Sequence, residues 1–235
     1  MSSHVWHGVV CGIAVVVIGL VGDSLGAEPL VLTDRLHHLR AGEQREWSEF
    51  PPAAEAAFLE LKFATAKSSG EQTLVLRMQD VKQTWLIKLN GKEVARLPID
   101  ENDMVVYFAV PEGTVVDGEN VLRIEAAGRQ SDDIRIGEVA LHPRPRSEVL
   151  GDGAVEIDVR DGEDRLTPAR ITIVNAGGAL QTVGATSNNQ LAVRPGIVYT
   201  ASGQARFGLP AGKYTVYAGR GFEYSLDRQE IEVEP

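Results

Sequence analysis

Residues 194–233 read RPGIVYTASGQARFGLPAGKYTVYAGRGFEYSLDRQEIEV, and their rhythm decides the fold class. Gln204-Ala-Arg-Phe-Gly-Leu209 alternates polar and apolar residues until Pro210-Ala-Gly212 breaks the run. Lys213-Tyr-Thr-Val-Tyr-Ala218 alternates again, Gly219-Arg-Gly221 interrupts it, and Tyr224 to Val233 forms a third run. A period of two, punctuated by Pro and Gly, predicts half-buried antiparallel strands joined by short turns.

The pattern continues upstream. Phe58 to Phe63, Thr73 to Met78, Thr84 to Leu89, Lys92 to Leu97, Met104 to Val110, Val121 to Glu125 and Ile134 to Leu141 all read as strands. Asn90-Gly91 separates two of them and is a strong hairpin signal, since both residues tolerate φ > 0. Strands this short, with turns about every ten residues, predict a jelly-roll β-sandwich over residues 55–142. His142-Pro-Arg-Pro-Arg146 opens a stiff linker, residues 143–152. A second antiparallel sandwich follows over 153–235. Its strands begin at Val155–Val159 and Ala169–Val174, and a polar loop at 175–190 precedes the closing strands. The expected class is all-β, with two antiparallel sandwiches in series. Residues 28–54 form a lead-in segment, with Leu30-Val-Leu32 a candidate strand, a polar stretch carrying His37 and His38, and Pro51-Pro52 as a stop.

The first 27 residues read as an export signal peptide. Val9 to Val21 is short for a membrane span and suited to a signal h-region, and Ala27 offers a small residue before a cut ahead of Glu28. An N-terminal membrane anchor is the alternative. The leader holds the single cysteine, Cys11, so the processed chain would have neither disulfides nor a thiol nucleophile. The expected location is secreted or periplasmic, with no membrane contact once the leader is gone.

A net charge of −10 argues against sequence-independent nucleic-acid binding, which needs clustered Lys and Arg to displace counterions. No metal site is expected. His37 and His38 point to opposite faces of a strand, and no H-x-H or H-E-x-x-H motif is present. Asp152, Asp158, Asp161 and Asp164 lie close in sequence but lack Ca²⁺-loop spacing and read as turn residues. No G-x-S-x-G elbow occurs, so neither a catalytic set nor a cofactor is assigned. Two binding features stand out. Trp85 is a candidate glycan platform, with Trp47 a second and core packing the competing reading for Trp85. Arg220, Phe222, Glu223, Tyr224 and Arg228 gather cations, a carboxylate and two aromatics at one hairpin end, a composition typical of interface hot spots.

The closing stretch, above all LPAGKYTV at 209–216 and RGFEYSLDR at 220–228, resembles the non-catalytic N-terminal region of secreted CehA/McbA-type metallohydrolases of the PHP (polymerase and histidinol phosphatase) superfamily. LPAGKYTV is also similar to carboxypeptidase-regulatory-like, transthyretin-like sandwiches. Residues 55–141, with LNGKEV at 89–94 and GENVLRI at 118–124, look like a galactose-binding-like jelly roll. The resemblance spans about residues 55–234 and implies an accessory role, with metal-binding residues in a domain after this region. None of those residues can be carried onto this chain. Two expectations follow: a non-catalytic docking region for a metal-dependent hydrolase, or a carbohydrate-binding module.

Overall fold

A computed structural model describes residues 12–19 and 28–234. The chain is all-β, with a single four-residue helix among the described residues, and it divides into two compact units. One holds residues 28–149 and the other residues 12–19 and 150–234. In chain order the strands are β1 (Gly12–Gly19), β2 (Leu30–Ala41), β3 (Phe58–Thr65), β4 (Gln72–Gln79), β5 (Trp85–Leu89), β6 (Lys92–Arg96), β7 (Met104–Val110), β8 (Gly118–Ala126) and β9 (Asp132–His142). The helix α1 (Arg146–Val149) precedes β10 (Gly153–Arg160), β11 (Ala169–Asn175), β12 (Leu180–Gln181), β13 (Leu191–Arg194), β14 (Ile197–Thr200), β15 (Gln204–Leu209), β16 (Gly212–Gly219) and β17 (Asp227–Val233).

In the first unit β4 pairs with β7 and β9, β9 pairs with β2, and β8 is flanked by β3 and β5, whose other neighbour is β6. All of these pairings are antiparallel. The alternation seen in sequence becomes alternating burial: Trp85, Ile87 and Leu89 are buried along β5 while Leu86 and Lys88 are half-exposed. Asn90 and Gly91 form the expected turn, with φ of 52° and 79°. The Asn90 amide then donates to the buried Asn120 Oδ1 at 2.7 Å and to the Thr114 carbonyl, so the hairpin tip is tied to the neighbouring strand.

The lead-in segment proves more structured than its polarity implies. Beyond Leu30-Val-Leu32 the strand continues to Ala41 as β2, the longest strand described, paired along β9. Register shifts between Val31 and Leu36 mark a bulge. Gly137 lies opposite it, where any Cβ would overlap the Arg35 carbonyl. The expected linker is also folded in part. Thr73 Oγ1 donates to the Arg144 carbonyl, the Arg146 N–H donates to Glu71 Oε1, and the Pro145 carbonyl, just before α1, accepts from the Glu148 and Val149 N–H groups, with Val149 buried.

The second unit packs two sheets over one apolar core that includes Val155, Ile157, Ile171, Ile173, Phe207, Leu209 and Val216. One sheet is β1-β10-β15; the other joins β13, β14, β11, β16 and β17, with β12 beside β11. The break at Pro210-Ala-Gly212 is therefore no hairpin. β15 pairs with β10 and β16 with β11 and β17, so this turn carries the chain from one sheet to the other. The buried Tyr214 hydroxyl donates to the Pro210 carbonyl at 2.9 Å and pins the crossing.

The strand β1 comes from the stretch read as the signal h-region. The expected cut after Ala27, and Cys11, lie outside the described residues. Among the described residues no helix is long and apolar enough to cross a membrane.

Candidate docking site

The site is built on the outer face of β11 and β16. Their inward residues fill the core; the outward ones are Arg170, Thr172 and Val174 on β11, and Thr215 and Tyr217 on β16. Antiparallel pairing sets Thr172 opposite Tyr217 and Arg170 opposite Gly219. After Gly219 the chain leaves the sheet, turns, and returns as β17 at Asp227. The turn closes through the Tyr224 N–H donating to the Gly221 carbonyl at 3.2 Å, with Gly221 at φ 110°, which only glycine adopts readily.

This turn folds over the sheet and encloses an open concavity of about 680 Å³. Its walls include Arg170, Thr172, Tyr217, Phe222, Tyr224 and Leu226. Phe222 is fully exposed and Leu226 68% exposed, the two most exposed large apolar side chains described. The Arg220 guanidinium lies 5.2 Å above the Tyr224 ring and donates to Thr167 Oγ1, which stiffens the base of the turn. Of the five residues expected at an interface, Phe222 and Tyr224 line the concavity and Arg220 braces it. Glu223 and Arg228 do not line it; Arg228 pairs with Glu230 at 2.6 Å on β17. Tyr217 and Leu226 were missed. Tyr217 carried the signal, as a large aromatic in the polar phase of Lys213–Ala218.

Trp85 is not a platform. It has no exposed surface, and its indole N–H donates to Asp132 Oδ2 at 2.7 Å. Trp47, the second aromatic candidate, is 54% exposed between polar neighbours.

The polar core of the first unit went unseen in the sequence. Asp133 is fully buried, yet it accepts from His38 Nε2 at 2.6 Å, Arg40 Nε at 2.7 Å and the Glu46 N–H at 2.9 Å. Burial alone would raise its carboxyl pKa, but the Glu46 N–H, His38 and Arg40 outweigh it and hold the pKa below the ordinary aspartate value. Its neighbour Asp132 goes the other way. Burial raises that carboxyl, and bonds from Trp85, Gln83 and Lys82 offset the rise only in part. His38 also stacks on Phe50, at 4.9 Å between ring centroids. Arg40 also donates to the Pro51 and Pro52 carbonyls, so the cluster ties the 38–56 segment to β9, while His38 Nδ1 is buried with no hydrogen-bond partner among the described residues.

No group of three or more His, Cys, Asp or Glu side chains that would hold a metal occurs among the described residues. The Asp residues near β10 are engaged elsewhere. Asp152 accepts from the Ala211 N–H, Asp158 from Arg160 and Gln204, and Asp161 from Arg165 and two backbone amides.

No family model and no curated protein matches the chain. Among solved structures it is similar to a β-glucuronidase of Bifidobacterium dentium complexed with coumarin-3-O-glucuronide, at 14% identity over 93% of this chain and 48% of that one, TM-score 0.26. A Faecalibacterium prausnitzii β-glucuronidase gives 13% identity over 90% and 47%, TM-score 0.30. A Ruminococcus gnavus β-glucuronidase in complex with uronic deoxynojirimycin gives 11% over 75% and 35%, TM-score 0.26. The chain spans less than half the length of each, and likeness of this size carries no argument about activity.

Proposed function

We propose that this chain is a non-catalytic docking region of an exported protein, and that the turn at 220–226 holds a metal-dependent hydrolase domain. The observation that carries the reading is Phe222, a large aromatic with its whole surface in water, set beside Leu226 over a concave sheet face. Leaving such groups exposed is unfavourable unless a partner covers them, and aromatic residues with a nearby Arg are the usual energetic centre of an interface. The resemblance of 220–228 to the N-terminal region of secreted metallohydrolases supplies the identity of the partner. No residue of this chain is assigned to chemistry.

A photo-crosslinking amino acid at position 222, introduced in the full chain in its native cells, tests this. Adducts with a hydrolase domain, absent when the probe sits at the exposed Val116, are expected. Equal labelling from both positions, or none, would overturn the docking reading.

A second reading, carbohydrate binding, draws support from the half-exposed Trp47 beside polar Glu46 and Ser48. It predicts quenching of Trp fluorescence by oligosaccharides that Trp47→Ala abolishes.

A further inference from the structure

The expected leader occupies a built seat in the second unit. β1 pairs antiparallel along the whole of β10, from Gly12 opposite Arg160 to Gly19 opposite Gly153. Its side chains alternate as a half-buried strand requires. Ile13 enters the core beside Val155, Ile157 and Val159, and Val15 and Val17 pack against the same cluster. Val16 faces out, 56% exposed.

The other edge of β1 faces β17, and there the contacts are made by side chains. The Ile13 N–H donates to Asp227 Oδ2 at 2.7 Å, and the Gln229 amide donates to the Ile13 carbonyl. Both main-chain groups of Ile13 thus point away from β10, which makes Ile13–Val159 a non-hydrogen-bonded pair and leaves the ladder to residues 12, 14, 16 and 18. β10 supplies a main-chain ladder, the core supplies pockets for alternate side chains, and β17 supplies two polar clamps. Together they form a cleft shaped for an extended strand.

The occupant is the segment whose composition marks it for removal. If the chain is cut after Ala27, the strand is no longer covalently held. β10 then keeps β15 on one side and has an unpaired edge on the other, with Val155, Ile157 and Val159 behind it. An edge of this kind takes up added strands.

We infer that the β10–β17 cleft is a strand-acceptor site, filled by residues 12–19 before processing and by an antiparallel strand of a partner protein afterwards. The partner strand is recognised by its chemistry: branched aliphatic residues at three alternate positions, small or solvent-tolerant residues between them, and free main-chain groups. This site is separate from the Phe222 turn and stands without the docking reading.

The test uses the full chain with a specific protease site inserted between Ala27 and Glu28. Before cutting, Val16→Cys with Glu156→Cys, in a Cys11→Ser background, should join through a short thiol cross-linker, because these positions face each other in the register. After cutting, a fluorescent GIAVVVIG peptide with lysine tails is added in excess. One-to-one uptake by the cut chain is expected, with none by the uncut chain, whose seat is full. A peptide carrying Asp at the positions of Val15 and Val17 should not enter. Asp227→Ala with Gln229→Ala should weaken uptake by roughly tenfold, as the loss of two hydrogen bonds implies.

Four results would overturn the inference. The first is a missing cross-link. The second is a cut chain that keeps its β signal in circular dichroism but ignores the peptide. The third is a cut chain that unfolds, making β1 a permanent part of the core. The last is self-association of the cut chain through the bare edge, which assigns the seat to a second copy.

Discussion

The indole N–H of Trp85 donates to Asp132 Oδ2 at 2.7 Å, and neither residue has any exposed surface. The bond joins the start of β5 to the start of β9. The same carboxylate accepts from the Lys82 and Gln83 N–H groups, with Lys82 Nζ 3.7 Å away. Trp85→Phe keeps most of the apolar volume and removes one donor from a buried carboxylate. The expected cost is about 1 to 3 kcal/mol, read as a lower urea midpoint with an unchanged slope. A midpoint equal to that of the unaltered chain would mean that water replaces the indole and that the core there is open.

That pair also shows where sequence reading stops. The period of two located most of the strands and the Asn90-Gly91 turn, because each signal is local, but it missed β1, β12, β13, β14 and the second half of β2. Nothing local says that Trp85 and Asp132, 47 residues apart, share a hydrogen bond. Likewise His38 and Arg40 make the lead-in segment look solvated, and only Asp133, paired to it from across the sheet, makes their burial tolerable. At the candidate site, Phe222 and Tyr224 stood out by composition. Tyr217 becomes a wall of the concavity only once β16 is laid beside β11.

Asp132 and Asp133 should give pH dependences of opposite sign. The folded pKa of Asp133 lies below its ordinary value of 3.8, so its stabilisation is complete above that value and is lost as pH falls through the folded pKa. The folded pKa of Asp132 is raised, so its contribution is complete below 3.8 and is lost as pH rises through the folded pKa. The stability lead of the unaltered chain over Asp133→Asn should therefore grow as pH rises through the acid range. Its lead over Asp132→Asn should shrink. Denaturation at a series of pH values checks both, and parallel slopes would contradict the assignment of the two carboxyls.

Asp133→Asn should also be costly at neutral pH. It leaves the Arg40 guanidinium, bonded to Asp133 at 2.7 Å and little exposed, without its carboxylate. Breaking a buried ion pair from one side costs about 3 to 5 kcal/mol. Limited proteolysis should then cut first between residues 38 and 56, the segment that Asp133 holds through His38, Arg40 and Glu46.

Gly137→Ala tests the bulge in β2. A methyl there meets the Arg35 backbone, which cannot swing aside as a side-chain tip would. The strand must shift its register or the pair must open, at a cost of about 1 to 3 kcal/mol or more. Gly178→Ala is the contrast: its φ of 83° is strained for alanine, but the added carbon meets nothing within 4 Å. If Gly137→Ala melts no lower than the unaltered chain, the bulge yields to the methyl and the contact with Arg35 sets no cost.

Phe222→Ser should separate folding from recognition. The side chain is fully exposed, so the substitution removes no core contact and should leave stability within about 0.5 kcal/mol. It should nonetheless reduce binding of an apolar fluorescent dye to the folded chain, and Leu226→Ser should do the same, because both flank one concavity. Thr172→Val, placed in the floor of that concavity, should raise dye binding without altering the fold. If Phe222→Ser instead lowers the melting temperature by several degrees, the ring is packed rather than presented, and the docking surface loses its principal contact.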